Sequence, residues 1–222
     1  MKHYPGDPHQ WADMPVVLTD TELLIGGWQV MQSWEQPMMD LMAQQVANPE
    51  ADVLEVGFGM GISATALIEY GCRSYTVIEA HPEVATIARE WAKQYDTPIT
   101  VLEGMWQEVV PDLHQQFDGI FFDTYPLSAE ERHCNHFPFI PVAPKLLRPN
   151  GKLTCYSDET IEFRNEHLKL LLSNFEEVKL IKVSNLHPFE GCEYWDYSHM
   201  VVPVATKLAN PIGYSTNGSH SD

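Results

Sequence analysis

Short apolar runs and longer amphipathic segments alternate along most of the chain. The short runs are rich in Val, Ile and Phe and have the length of buried strands, whereas the segments between them repeat apolar residues every three or four positions, as helices do. The predicted strands are Val53–Val56, Tyr75–Ile78, Ile99–Leu102, Gly119–Phe122, Leu153–Tyr156, Val178–Val183 and His199–Val204. The predicted helices among them are Ile62–Tyr70, Pro82–Tyr95, Phe139–Leu147 and Ile161–Phe175.

This order of elements predicts an α/β fold. Strands that are joined by helices in repeated units form a parallel sheet with helices on both faces, so we expect a seven-stranded, mostly parallel, Rossmann-like sheet. No long helix separates the last two strands, which are therefore predicted to form an antiparallel hairpin at that edge of the sheet, so that the last strand is antiparallel. Arg148–Gly151 is typical of a turn and ends the helix that precedes it.

The two ends of the chain differ from this pattern. Residues 1–20 are rich in Pro, Asp and Trp and are predicted to be irregular, while apolar spacing from Thr21 to about Val46 predicts a helix that Gly26 and Gly27 break in two. The predicted organisation is a helical segment over residues 1–50, the α/β domain over residues 51–207, and a disordered tail over residues 208–222.

Composition is that of a soluble globular protein. Hydrophobic residues make up 44% of the chain and charged residues 20%, and apolar runs such as Met200–Val204 are too short to cross a bilayer. The N-terminus lacks the apolar core of a signal peptide, so we expect a cytoplasmic protein that does not bind membranes. The cysteines are far apart in sequence and are interpreted as free thiols, with no metal site predicted.

The formal charge of −18 bears on the partners of the protein. A negative field repels polyphosphates, so nucleic acid is not expected to bind, whereas cations are attracted. Ordinary solubility accounts for most of such a charge. The charge becomes informative about function only if acidic residues gather in a pocket.

A glycine-rich turn follows the first strand of the domain, in the stretch Glu55–Gly61. Glycines at a strand–helix turn let a ligand approach the backbone closely, and Glu79 ends the next strand at the distance where such folds place an acid on ribose hydroxyls. Ile62 stands where the dinucleotide fingerprint requires Gly or Ala. Glu55 would repel a pyrophosphate but suits a cationic amino-acid end. The loop therefore favours S-adenosylmethionine over NAD.

Two further strand ends carry candidate ligand contacts. Glu103–Trp106 follows the third strand, at the position that lies beside the adenine in this fold, so Trp106 is interpreted as an adenine wall, with packing in the core as the alternative. Asp123 follows the strongly apolar fourth strand, where open parallel sheets bind ligands. The alternative for Asp123 is a helix-capping role in the strand-to-helix loop.

Several motifs, in order, resemble guanidinoacetate N-methyltransferase, a class I S-adenosylmethionine-dependent methyltransferase. The specific ones are Trp-Glu-x-Pro at residues 34–37, Val-Gly-Phe-Gly-Met at 56–60 and Asp-Thr-Tyr-Pro-Leu at 123–127, and the likeness runs from about Leu23 to Lys207. The resemblance implies that Glu35 and Asp123 hold a guanidinium group, that Glu79 binds the ribose, and that the N-terminal segment forms a lid.

These observations together give the predicted site. The predicted cofactor-binding residues are Met31, Trp34, Glu55, Gly57, Gly59, Gly61, Glu79, Gly104, Met105 and Trp106. The predicted acceptor-binding residues are Glu35, Asp123, Thr124, Tyr125, Asp158 and Glu159, of which Asp123 and Glu35 are also the predicted catalytic residues.

Two carboxylates suit the chemistry of guanidine methylation. A guanidinium is a planar fork that carboxylates bind through paired hydrogen bonds. It is also a cation without a free lone pair, and with a pKa of about 13 its neutral form near pH 7 costs roughly 8 kcal/mol. One carboxylate can accept the departing proton while the other holds the fork. We assign Asp123 as the base and Glu35 as the clamp, and the reverse assignment stays open.

The sequence departs from the resemblance after the fifth strand. The family uses backbone amides of an Asn-Leu-Thr segment to bind a substrate carboxylate, whereas this chain has Ser157-Asp158-Glu159. Acids that face the pocket would suit a second cationic group, so the acceptor is predicted to be a guanidino or amino-guanidino metabolite. The alternative is that Asp158 and Glu159 are exposed or cap the next helix. Tyr194 and Trp195 are interpreted as edge-strand packing, with a pocket wall as the alternative.

Other functions fit parts of this pattern. A nicotinamide dehydrogenase shares the fold, but Ile62 argues against it. A protein arginine methyltransferase shares the chemistry, and is ranked lower because no second domain of adequate length remains to hold a polypeptide. A non-catalytic cofactor-binding protein would not need both Glu35 and Asp123. The expected partner is a small guanidino or amino compound, and the protein is expected to be a monomer or homodimer.

Overall fold

The computed structural model of the chain describes residues 7–160 and 163–209, which form two β-sheets and the helices around them. The strands are β1 (Val16–Leu18), β2 (Glu22–Ile25), β3 (Trp28–Gln32), β4 (Asp52–Val56), β5 (Ser74–Glu79), β6 (Ile99–Glu103), β7 (Phe117–Phe122), β8 (Leu147–Cys155), β9 (Glu177–Ser184) and β10 (His199–Thr206). The α-helices are α1 (Pro8–Ala12), α2 (Gln36–Val46), α3 (Ile62–Tyr70), α4 (Pro82–Ala92), α5 (Trp106–Val109), α6 (Ala143–Leu146) and α7 (Asn165–Asn174). Short 3-10 helices cover Ser33–Glu35, Val110–Asp112 and Phe137–Phe139.

The larger sheet has seven strands in the order β6-β5-β4-β7-β8-β10-β9. Neighbouring strands from β6 to β8 are parallel, and β10 is antiparallel to both β8 and β9. The α/β prediction and the antiparallel last strand are confirmed. The carboxyl ends of β4, β5, β6 and β7 meet along one edge, so the loops that follow them can share a ligand.

Apolar cores lie on both faces of this sheet. Alternate residues of a strand point to opposite faces, and on β4 Val53 belongs to the core under α2, α3 and α4, whereas Leu54 belongs to the core under α5, α6 and α7. All five residues of β4 are buried. No helix in the described part of the chain is long and apolar enough to cross a membrane.

The N-terminal prediction is wrong in its first half. Residues 22–32 form the antiparallel pair β2 and β3 instead of a helix, with Gly26 and Gly27 at positive φ in the turn between them. The helix begins only at Gln36, and residues 8–18, predicted to be irregular, contain α1 and β1. The predicted division at residue 50 stays a prediction.

Other boundaries differ as well. The predicted helix Phe139–Leu147 is reduced to a 3-10 turn and α6. The predicted turn at Arg148–Gly151 lies within β8, as an irregularity in which Asn150 has a φ of 66° and the pairing with β7 shifts. α7 begins at Asn165, so Phe163 and Arg164 are not helical, and residues 161–162 lie outside the described residues. Most of the predicted disordered tail, residues 210–222, also lies outside them.

A cluster of ion pairs holds the amino-terminal edge of the sheet. Arg148 donates to Asp52, at the start of β4, over 2.7 Å and also to Asp118 near the start of β7, and Arg73 donates from Nε to Asp52 over 2.9 Å. The hydrogen bond from Arg73 lowers the pKa of Asp52 well below its usual range. Asp52 is therefore ionised, and both carboxylates are paired with arginine at the edge opposite to the candidate site.

Candidate functional site

The turn after β4 touches the turn after β7 through the backbone. Gly57 has a φ of 91°, and its N–H donates to the Ile78 carbonyl over 2.8 Å. A Cβ atom at this position would lie 1.8 Å from the carbonyl oxygen of Asp123. Any side chain here would push the two turns apart, so glycine sets the position of Asp123 relative to the loop.

A cavity of about 320 Å³ opens above this loop, within the size range of small-molecule sites. Of the predicted cofactor residues, the structure brings together Met31, Gly57, Gly59, Glu79, Gly104, Met105 and Trp106 around it. Trp106 also packs edge-on against Phe139, with ring centroids 5.2 Å apart. It is thus both a wall of the cavity and part of the core, the two alternatives that its position raised.

Glu79 ties the glycine loop to the end of β5. Its carboxylate accepts hydrogen bonds of 2.8 Å from the backbone N–H groups of Phe58 and His81. Burial raises the pKa of Glu79, while these hydrogen bonds oppose the rise. An acid held by the backbone in this way has a fixed orientation at the cavity wall, as ribose recognition requires.

Three predicted cofactor residues, Trp34, Glu55 and Gly61, lie outside the cavity lining. Glu55 is fully buried and accepts hydrogen bonds from the hydroxyl groups of Ser63 and Tyr75, and burial raises its pKa to about 8. The Trp34 indole donates to Gln32 over 2.9 Å, and Gly61 is the residue before α3. Direct contact of these three residues with the cofactor stays a prediction.

A second, wider cleft of about 1350 Å³ adjoins the first. The predicted acceptor residues Glu35, Asp123, Thr124, Tyr125 and Asp158 line it. Asp123, Thr124 and Tyr125 line both spaces and form their common wall. Two carboxylates that are 88 positions apart in the sequence, Glu35 and Asp123, therefore face one cleft.

Glu35 ends the 3-10 helix before α2, and only 3% of its surface is exposed. Its Oε1 accepts hydrogen bonds from the Gln32 backbone N–H over 2.8 Å and from the Tyr194 hydroxyl over 2.6 Å. Burial, together with the negative charge of Asp123, raises the pKa of Glu35 to about 8. The carboxyl group is held in one orientation, and its Oε2 has no hydrogen-bond partner among the described residues.

Asp123 follows β7 directly, and its backbone N–H donates to the Val56 carbonyl over 2.9 Å. Within residues 7–160 and 163–209, no group donates a hydrogen bond to its side chain. Burial raises the pKa of Asp123 to about 7. No helix begins at this residue, since the next helix, the 3-10 turn at Phe137, is well beyond it. The capping alternative is therefore excluded, and an unpaired acid remains between the two spaces.

The prediction that Asp158 and Glu159 both face the pocket is wrong for Glu159. Glu159 is buried away from the cleft and forms an ion pair of 2.7 Å with Arg164. Asp158 lines the cleft but is already paired with Arg164, over 2.9 Å, and with His133. Neither acid is solvent-exposed or caps a helix. The side chains of Arg164 and His133 occupy the place that was predicted for a second cation of the acceptor.

Sequence reasoning missed or misplaced three aromatic residues. Tyr194 lies in the loop before β10 and binds Glu35, so its interpretation as edge-strand packing is wrong. Tyr156 lines the cleft just after β8. Trp11 lines the cofactor cavity and stacks on Tyr125, with ring centroids 5.4 Å apart. Trp11 belongs to a segment without periodicity, so only its large apolar side chain in a polar segment could have indicated a buried position.

The chain is similar to several known proteins. A family model described as guanidinoacetate N-methyltransferase matches residues 8–208. Protein arginine N-methyltransferase 2 of Aspergillus oryzae is 36% identical over 191 residues, which are 79% of this chain and 46% of that protein. The chain spans less than half the length of this and other arginine methyltransferases that it matches.

Solved structures share the fold. A spermidine synthase in complex with the transition-state analogue AdoDATO superposes with a TM-score of 0.61 at 15% identity, over 89% of this chain and 74% of that one. An O-methyltransferase of Bacillus cereus in complex with SAH superposes with a TM-score of 0.53 at 18% identity, over 80% of this chain and 82% of that one. Likeness at such identities concerns the fold, which is the Rossmann-like methyltransferase sheet.

Proposed function

The chain belongs to the guanidinoacetate N-methyltransferase family, and from that premise we propose that it methylates a nitrogen of a guanidino compound. It is an S-adenosylmethionine-dependent methyltransferase by family and fold. The observation that carries the proposal for the acceptor is the pair Glu35 and Asp123, two buried carboxyl groups that line one cleft beside the cofactor cavity. Flat cations with several N–H donors are the ligands that such a pair suits.

The residues around the smaller cavity fit S-adenosylmethionine. Gly57 leaves room for close approach, Glu79 is oriented for hydroxyl groups, and Met105 and Trp106 provide an apolar wall. No Lys or Arg lines this cavity among the described residues, as expected for a ligand without phosphate. When bound, S-adenosylmethionine supplies an electrophilic methyl group on a positively charged sulfur.

The two carboxyl groups take different roles in the proposed mechanism. Glu35 is fixed by Gln32 and Tyr194 and holds the guanidinium plane through its remaining oxygen. No described residue donates a hydrogen bond to the carboxylate of Asp123, which lies on the wall common to both spaces. This carboxylate accepts the proton that the guanidino nitrogen loses as it gains the methyl group. Alignment of the nitrogen with the methyl group provides the rest of the rate enhancement.

The identity of the acceptor is tested by a substrate panel. We expect the purified chain with S-adenosylmethionine to methylate guanidino compounds, with the mass gain of one methyl group read by mass spectrometry. Guanidinoacetate, arginine and agmatine differ in their carboxylate and amino groups, so their relative rates report on the far end of the cleft. The Asp123→Asn variant is the negative control. Methylation confined to acceptors without a guanidino group would refute the proposal.

A dicationic acceptor is less well supported than the sequence implied. Asp158 is the acid that was assigned to a second cation, and it is engaged by Arg164 and His133. Arg132 and His133 also line the cleft and can meet a carboxylate. We therefore expect arginine or guanidinoacetate to be methylated faster than agmatine.

A second candidate is methylation of arginine within a polypeptide. The relatives named protein arginine N-methyltransferase 2 favour it, as does the cleft of about 1350 Å³, which is larger than a small guanidine requires. Labelling of an arginine-containing peptide at a rate above that of free arginine would support this candidate. Labelling of free guanidino compounds alone would eliminate it.

A further inference from the structure

Three side chains of metal-binding type meet behind the wall of the acceptor cleft. His136 follows the cleft-lining residue Asn135, Cys155 ends β8, and His167 lies on α7. One ligand atom from each lies within 4.8 Å of the others, and the Nε2 atoms of the two histidines are 3.0 Å apart. All three residues are buried, and none lines either cavity.

The carboxylate of Glu159 orients His167 through the ring nitrogen that faces away from the cluster. Oε1 of Glu159 lies 3.3 Å from Nδ1 of His167, and Glu159 is itself held by Arg164 through Nε, over 2.7 Å, and through the backbone N–H, over 3.1 Å. A carboxylate on Nδ1 keeps the proton there and leaves the Nε2 lone pair directed at the cluster. Histidines that bind metals are oriented by carboxylates in this way.

A hydrogen bond between the two imidazoles explains only part of the arrangement. It accounts for the two Nε2 atoms, but the thiol of Cys155 converges on the same point without forming a hydrogen bond among the described residues.

We propose that His136, Cys155 and His167 bind one Zn²⁺ ion. A thiolate with two imidazoles selects zinc over magnesium or calcium, and three protein ligands leave one position of a tetrahedral ion for water. Binding releases the thiol proton to solvent, because sulfur binds zinc as thiolate. The site is structural, since its ligands are closed off from both the cofactor cavity and the cleft.

The ion would fix the wall of the acceptor cleft. Its ligands join the loop after β7, the end of β8 and α7, and two of them adjoin residues that line the cleft, Asn135 and Tyr156. The same loop also lines the cofactor cavity, through Cys134 and Asn135. Removal of zinc is therefore expected to raise both the KM of the acceptor and the Kd of S-adenosylmethionine about tenfold, in a chain whose circular dichroism shows that it stays folded.

Metal content tests the proposal directly. The tag-free full chain is equilibrated with Zn²⁺, freed of loose metal by gel filtration and measured by elemental analysis, with folding checked by circular dichroism. We expect about one zinc ion per chain, and less than about a tenth of that in Cys155→Ser and in His167→Gln. Cys72→Ser is the matched control, because Cys72 is also buried but lies outside the cluster, and it should keep its zinc.

Cobalt binding gives a second measurement, which does not require the variants at the proposed ligands to fold. Co²⁺ added to the wild-type chain should produce a thiolate-to-cobalt charge-transfer band, which Cys72→Ser retains. Folded wild-type protein that holds less than about a tenth of a zinc ion per chain, or that shows no such band, would overturn the proposal even if Cys155→Ser and His167→Gln fail to fold.

Discussion

Acidic residues at the two ends of the strands of the seven-stranded sheet are in opposite electrostatic states. At the amino-terminal edge, Asp52 is paired with arginines, Arg148 among them, and its pKa is held well below the usual range. At the carboxyl-terminal edge, Glu35 and Asp123 form no ion pair with a basic residue among the described residues, and burial raises their pKa values to about 8 and about 7.

The difference shows that the site is identified by buried acids that lack a basic partner, and not by the number of acids. A net charge of −18 spreads carboxylates over the whole surface, and an exposed or paired acid needs no further explanation. A buried carboxyl group without a cation destabilises the ligand-free protein. Glu35 and Asp123 carry that cost where an incoming cation can offset it.

The largest effect is expected from Asp123, which follows β7, and the control is Asp118, near the start of the same strand. Asp123→Asn removes the proton acceptor and should lower kcat by about 10³-fold, with the Kd of S-adenosylmethionine changed less than about threefold. Asp118→Asn, near the start of β7, breaks the pair with Arg148 and should cost about 1 kcal/mol of stability with kcat unchanged. Steady-state kinetics, isothermal titration calorimetry and urea unfolding measure these quantities. Near-normal turnover in Asp123→Asn would contradict the assignment of the base.

The next effect tests whether the backbone positions Asp123. Gly57→Ala adds a Cβ that would lie 1.8 Å from the Asp123 carbonyl oxygen. We expect a loss of about 2–4 kcal/mol in the free energy of unfolding and at least about tenfold weaker cofactor binding.

The control is Gly191→Ala, at a positive φ of 86° but with no atom within 4 Å of the added Cβ. It isolates the backbone strain and should cost about 1 kcal/mol. Equal losses in Gly57→Ala and Gly191→Ala would mean that the contact with Asp123 does not matter.

Glu35 should make the ligand-free protein less stable in alkali. Its folded-state pKa of about 8 lies above the ordinary 4.5, so the folded protein favours the protonated form. That stability is complete below about pH 4.5 and is lost as the pH rises through 8. Glu35→Gln should therefore be more stable than wild type by about 1–4 kcal/mol at pH 9, and the difference should shrink toward pH 5. Urea unfolding at both pH values measures it, with the exposed Glu108→Gln as control. A difference independent of pH would show that Glu35 is ionised in the folded protein.

The smallest effect is expected at Tyr194. Its hydroxyl donates to Glu35 over 2.6 Å and lowers the pKa of that carboxyl group. Tyr194→Phe should raise the KM of the acceptor about two- to tenfold and shift the acidic limb of the kcat/KM profile to higher pH, because Glu35 must be ionised to hold the guanidinium. Tyr70→Phe removes a similar bond, to the half-buried Asp40 over 2.9 Å, and should change neither. An unshifted profile in Tyr194→Phe would show that this hydrogen bond does not affect the ionisation of Glu35.

Regular elements around the cofactor cavity could be predicted because their signals are local. The apolar run of β4, the glycine loop and Glu79 follow each other in the chain, and the parallel sheet brings their ends to one edge. Asp123 was found for the same reason, as the first residue after a buried strand.

The N-terminal hairpin was missed because two periodicities overlap there. Leu23, Leu24 and Met31 fit a helical face, but they also fit two short strands. Gly26-Gly27, interpreted as a break in a helix, is the turn of a hairpin, since both residues have positive φ. Glycine pairs between short apolar runs favour hairpins, so this signal was present in the sequence.

Contacts between distant irregular segments could not be predicted. Tyr194 meets Glu35 across 159 positions, and Arg164 neutralises the acids that were assigned to the acceptor. His136, Cys155 and His167 come from separate elements with no metal-binding spacing. In each case the tertiary fold determines the partner, and no local pattern of the sequence contains it.

The backbone contact between Gly57 and Asp123 also limits how this protein can diversify. Residues that line the cleft can be exchanged in a library without altering the frame that holds the proton acceptor, because that frame involves no side chain of the cleft. Residue 57 cannot be exchanged in the same way, because any side chain there would displace Asp123. Selection for new acceptors should therefore yield many solutions at positions such as Tyr194 or Trp28 and keep glycine at 57.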